Sequence, residues 1–183
     1  MSNIVQSDEK LGELILYVSK KSAFDLYFGA TKLNKILYFS DFFAYGNWGQ
    51  SITGAEYQHL KLGPAPRRLQ PVRQQLVLDG FLAIQYVQFS SGKKQTRTVN
   101  LREPNLSLFT ARDIALVDDV IQKLGAFNAD ETSELSHRYV GWKSTKEGDT
   151  IPYGTIFLSD EPPSPAELRR IQELADELTA AIA

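Results

Sequence analysis

The sequence predicts an α+β fold: a mainly helical single domain with a small antiparallel β-hairpin and a C-terminal helix. Three observations predict it. Apolar residues recur at the 3.6-residue period in several separate stretches. One pair of β-like runs, Phe81–Ser90 and Thr96–Leu101, is joined by Ser91-Gly92-Lys93-Lys94. Finally, 183 residues with 43% apolar content are enough for one substantial core, so one domain with a terminal appendage is expected rather than two domains.

The first predicted helix runs from Asp8 to Lys20. Ser7 is placed as its N-cap, and Leu11, Leu14, Ile15 and Val18 form one stripe. After the aromatic run Phe24–Phe28, Gly29 opens the central helix. There Leu33, Ile36, Leu37, Ser40 and Ala44 share a face that Phe39, Phe42 and Phe43 widen, so protein is expected on all sides of it. Asn34, Tyr38, Asp41 and Tyr45 form a second line, read either as a polar seam in the core or as a contact surface. Gly46, Asn47 and Gly49 are expected to end this helix, with Trp48 inside the turn, because Gly and Asn tolerate the left-handed backbone.

Ile52–Leu62 reads as extended and is stopped by Gly63-Pro64. Arg67–Asp79 is an amphipathic helix on Leu69, Val72, Leu76 and Val77, with Pro71 tolerated in its first turn. The two strands follow. Thr110 with Asp113 forms a capping box for a helix through Leu124, and Asn128 or Asp130 starts a short helix that ends near His137. Ser144–Pro163 is polar, apart from the apolar patch Ile151–Leu158, and reads as an arm over the domain. Ser164-Pro165-Ala166-Glu167 caps a last helix that runs nearly to Ala183, striped by Leu168, Ile171, Leu174, Ala175, Leu178 and Ile182. Packing on the same domain is the expected fate of that helix. Pairing with another copy, to give a homo-oligomer, and gripping a partner are the alternatives.

Composition narrows the chemistry. With no cysteine and two histidines, thiolate catalysis, disulfides and the usual zinc sites are excluded, and no cofactor or metal is expected. The N-terminus lacks the basic start, apolar run and small-residue cleavage site of a leader, and no run of about 18 apolar residues occurs, so a cytoplasmic location without a membrane partner is expected. No phosphate-binding loop and no hydrolase or metalloprotease motif is present. Asp118 and Asp119 are neighbours on a helix and point about 100° apart, so they share no proton and read as surface charge.

Ten of the twenty aromatic residues lie between Phe24 and Tyr57, and core packing is the expected reading of that concentration. Tyr45 and Trp48, near the turn, are the ones expected to be exposed. A helix followed by a basic-tipped hairpin also reads as a winged-helix DNA-binding regulator, with Arg67, Arg68, Arg73, Lys93, Lys94 and Arg97 on phosphates. The net charge of −2 instead favours a solvated face, and nucleic acid is not the expected partner. An enzyme with an unrecognised site ranks third.

Four fragments in a fixed order carry a family resemblance. They are Lys32-Leu33 with Lys35-Ile36-Leu37-Tyr38-Phe39; Thr53-Gly54 with Glu56-Tyr57; Gly63-Pro64; and Leu135-Ser136-His137 with Trp142. Over residues 10–145 the chain resembles the Panacea domain of SocA-like antitoxins from bacteria and phages. Pro66-Arg67-Arg68 departs from the pattern, since the family more often has a valine and an acidic or polar residue near Gly-Pro.

The resemblance implies a non-catalytic antitoxin of a two-gene toxin–antitoxin module. Such a protein binds and covers a cognate protein toxin encoded by the adjacent gene, and in some members presents it to a cellular protease. It also implies a domain over residues 1–145, followed by an arm and helix over 146–183. Carried over by position, the candidate partner-binding residues are Tyr38, Asp41, Tyr45, Trp48, Tyr57, His59, Arg67 and Trp142.

Overall fold

The central helix is the axis of the domain because its own sequence leaves it no solvent-facing side over most of its length. A computed structural model describes residues 7–182. In it α2 spans Ala30–Trp48, and buried residues from Lys32 to Ala44 cover its whole circumference. A helix buried all round needs neighbours all round. It receives them from α1 (Asp8–Lys21), α4 (Ala111–Leu124), α5 (Ala129–His137) and a 3-10 turn over Tyr153–Phe157.

Local signals set the other elements. The Ser7 hydroxyl accepts from Lys10 N at 3.1 Å and starts α1. The Thr110/Asp113 capping box opens α4, and a second box, Asn128 with Glu131, opens α5. α3 (Leu69–Leu78) lays Leu69, Val72 and Leu76 against α1. A one-turn helix, α6 (Val140–Lys143), follows α5.

Two short antiparallel pairs complete the α+β fold. β1 (Tyr57–Gln58) pairs with β2 (Ala65–Pro66), so most of the predicted extended segment is irregular. β3 (Leu82–Gln88) pairs with β4 (Lys94–Asn100) in the register Leu82↔Asn100 to Gln88↔Lys94. Lys94, expected in the connection, therefore already belongs to a strand. β4 docks on α1 through a 2.6 Å hydrogen bond between the hydroxyls of Ser19 and Thr98. Glu13 of α1 is fixed by an ion pair with Arg102 and by a 2.6 Å bond from Asn105 N, which ties down the chain that leaves the hairpin.

Three expectations are revised. First, Gly46 and Asn47 do not end α2; the helix passes through both and ends at Gly49, which is left-handed at φ 70°. The reason lies in packing rather than backbone freedom: a Cβ on Gly46 would sit 3.3 Å from Ile156 Cγ1, so the glycine makes room for the arm. Second, the arm is stitched into the sheet. Ile151 N donates to Tyr57 O and His59 N to Asp149 O, and Ile151 and Tyr153 are buried.

Third, the expected packing of the last helix on its own domain is not seen. In α7 (Pro165–Ile182) every described side chain is exposed, including Leu168 at 53%, Ile171 at 57% and Leu174 at 42%. The chain between Ser159 and Ser164 is polar and carries Pro162-Pro163, which holds the helix off the core. The predicted end of that helix at Ala183 lies outside the described residues, as do the stripe side chains of Leu178 and Ile182.

Candidate functional site

Two lysines of α2 show how the signature fragments meet. Lys32 is fully buried. Its ammonium donates to Asp25 Oδ2 at 2.6 Å, to Phe127 O at 2.8 Å and to Gly125 O at 3.1 Å. All three of its protons are used, and two of them close carbonyls after the end of α4. Lys35, also buried, has one bond, to Pro64 O at 3.2 Å. Burial alone pulls its pKa down to about 7. Gly63, at φ 90°, sits against it, and any Cβ there would run into Ser136 Oγ and Lys35 Cε. Lys35, Gly63-Pro64 and Ser136 are thus parts of one junction, and Lys32 anchors a second one at the end of α4.

The stripe of α2 that includes Tyr38 and Asp41 is a polar seam in the core. Asp41 is fully buried and accepts from Thr53 N at 2.8 Å, Thr53 Oγ1 at 2.5 Å and Tyr57 Oη at 2.8 Å. Burial raises its pKa while these bonds pull it down, with burial the larger effect. Burial, and then the neighbouring Asp41 charge, raise that of Tyr57. The carboxylate satisfies an irregular segment that has no ladder partner for its N–H groups. Tyr38, Asp41 and Tyr57 were candidates for direct partner contact, and their burial rules that out for the folded protein: they hold α2 to residues 52–57.

The remaining candidates lie nearer the surface. Trp142 is sandwiched between the chain's two histidines, with ring centroids 4.3 Å from His59 and 3.8 Å from His137. His137 is held below the usual histidine range, first by burial and then by the neighbouring Lys35 and His59 side chains, and its Nε2 is buried without a partner among the described residues. Arg67 is a clamp: it donates to Glu56 Oε1 at 2.6 Å and Gln58 Oε1 at 3.3 Å on one side, and to Gly148 O at 2.6 Å and Thr150 Oγ1 at 3.1 Å on the other. Tyr45 and Trp48 are half-buried, with Tyr45 against Tyr153 and Phe157 and Trp48 under the Arg112 guanidinium at 4.7 Å.

The six cations of the winged-helix reading are not brought onto one face. Arg68 is paired with Asp8, Arg67 with Glu56 and Lys93 with Asp130, while Arg73 bonds Gln70 and Arg97 bonds Ala23 O. A seven-residue strand also carries the hairpin tip about 23 Å from the end of α3. Helix and tip are therefore separate features, and three of the six charges are already paired with carboxylates.

The sequence reading missed the most exposed ring. Phe24 is 98% exposed, Leu26 74% and Tyr27 50%, all in the loop between α1 and α2. Helical spacing suggested core for the aromatic run, but α1 stops at Lys21 and the loop turns outward. The Asp25 carboxylate fixes that turn, accepting from Tyr27 N at 2.8 Å and pairing with Lys32. An aromatic run beside an acidic residue just after a basic helix end was the available signal. A groove of about 660 Å³ lies beside this loop, under the hairpin tip and the start of α5, lined by Tyr27, Thr31, Phe89, Lys93, Lys94 and Asp130 among others.

Residues 33–143 match the family described as Antitoxin SocA-like, Panacea domain. That is more than half of the chain, and the protein belongs to this family. Neither the curated proteins nor the solved structures yield a match. Among the described residues, no helix is long and apolar enough to cross a membrane.

Proposed function

We propose that this protein neutralises a protein toxin by binding it directly and covering its active face, as the antitoxin of a two-gene module whose adjacent gene encodes the toxin. Family membership over residues 33–143 carries the reading. The grip is centred on Phe24, Leu26 and Tyr27, with Lys93 and Lys94 across the neighbouring groove. Exposed aromatic and aliphatic anchors beside charge are what a few-residue hot spot requires, each such anchor contributing about 2 kcal/mol or more. Of the residues nominated by sequence, Tyr45, Trp48, His59, Arg67 and Trp142 retain some exposure and form a second set of contacts to test.

Growth provides the test. The neighbouring reading frame expressed alone arrests growth, and co-expression with this chain restores it; a harmless neighbour would defeat the proposal. Phe24→Asp/Tyr27→Asp leaves thermal unfolding unchanged, because both rings face solvent, and weakens toxin binding at least 100-fold by calorimetry. If that variant binds normally while Trp48→Ala or Trp142→Ala does not, the grip lies on the other set. A chase of toxin level during co-expression separates occlusion, which leaves the toxin intact, from delivery to a protease, which depletes it.

A further inference from the structure

The turn between β1 and β2 is held by three helices, each taking one of its carbonyls. Trp142 Nε1 of α6 donates to Leu60 O at 3.3 Å, Ser133 Oγ of α5 to Leu62 O at 2.9 Å, and Lys35 Nζ of α2 to Pro64 O at 3.2 Å. His59, at the start of the turn, and His137, at the end of α5, stack on the Trp142 ring, so both histidines of the chain and a buried lysine with a single bond meet at one place. No carboxylate is bonded to any of the three among the described residues. Facing His137 are Lys35, His59 and, one turn earlier in α5, Glu134, whose side chain is exposed. Lys61 of the turn and Arg138 are exposed cations, Lys143 of α6 is paired with Asp160, and Asp149 of the arm turns its carboxylate to Lys146 N.

Added protons have no acceptors here. As an ammonium, Lys35 brings three N–H donors to one carbonyl; as an imidazolium, His137 carries a proton on Nε2, which is buried with no partner among the described residues. We propose that this junction is an acid-released latch: protonation of Lys35 and His137 frees the turn over residues 60–64 from α5 and α6 and bares Trp142, while the rest of the domain stays folded. α6 is a single turn of helix, so it is the element that gives. The direction of both titrations agrees. Burial brings Lys35 down to about 7, and burial with the neighbouring Lys35 and His59 side chains lowers His137. The open form, in which both groups titrate normally, therefore takes up more protons than the closed form as pH falls, first below about 10.4 through Lys35 and then below about 6.5 through His137.

The chain has two tryptophans, so Trp48→Phe in the full protein leaves Trp142 as the reporter. As pH is lowered from about 8 to 5, acrylamide quenching of Trp142 rises several-fold and reversibly. An imidazolium beside the ring can dim the indole without moving it, but it does not admit acrylamide. Over the same range the amides of Gly63 and Trp142 lose hydrogen-exchange protection, after correction for the intrinsic pH dependence of exchange, and those of α4 keep theirs. Lys35→Met and His137→Gln each move the midpoint to lower pH. A Trp142 that stays shielded at the acid end overturns the proposal, and that measurement needs neither substitution to fold. A midpoint unmoved by both substitutions also overturns it, as does loss of α4 protection at the same pH, which is general acid unfolding.

Discussion

Lys35 is where burial changes chemistry most simply. In the folded protein its pKa is pulled down to about 7, whereas an unfolded lysine titrates near about 10.4. Between those values the unfolded chain holds the extra proton, so stability is complete above pH ~10 and is lost as pH falls through the window. The slope is at most about 1.4 kcal/mol per pH unit. Lys35→Met keeps the stem volume and removes the titration. The parent protein therefore gains stability relative to this variant between pH 7 and 9, read from urea midpoints at each pH; parallel pH curves for the two would refute the assignment. Lys32, one turn earlier and equally buried, has three acceptors around its ammonium where Lys35 has Pro64 O.

At the scale of elements, the arm is held by side chains rather than by a long ladder. A single bridge, Gln58↔Thr150, joins it to β1; Arg67 adds two bonds by reaching from Glu56 and Gln58 to Gly148 and Thr150, and Thr150 and Tyr153 add one each, to Glu56 and to Ala55 O. Arg67→Ala is expected to cost about 1–3 kcal/mol, the value of bonds to a charged group left unmade. Hydrogen exchange should locate the effect: the amides of His59 and Ile151, which bond across this junction, lose protection, while those of α4 do not. Uniform loss across the domain would mean that the arm and core open together. α2 and the arm are also coupled at Gly46, whose missing side chain is the slot for Ile156.

For the whole molecule, charge and legibility both depend on how distant segments meet. With a net charge of −2 and its hairpin-tip cation Lys93 paired with Asp130, the protein should give no mobility shift with its own promoter DNA at 50 mM salt; a salt-sensitive shift abolished by charge removal at Lys93 and Lys94 would restore the winged-helix reading. Periodicity and caps made α1, α4, α5 and the hairpin readable, because those signals are local. The buried status of α2 was readable from its apolar girth. Three things were not. The need for Gly46 inside α2 depended on Ile156, more than a hundred residues away; the burial of Asp41 depended on Thr53 and Tyr57; and the outward turn of Phe24 depended on Asp25 meeting Lys32.

Three of the four fragments by which this family is recognised meet at α2 from the inside: Lys32 fastens to the chain after α4, Lys35 to Pro64, and Asp41 to Thr53 and Tyr57. The exposed Phe24, Leu26 and Tyr27 take no part in that frame. The outer contour of this loop can be recut while the joinery that lets the chain fold stays untouched.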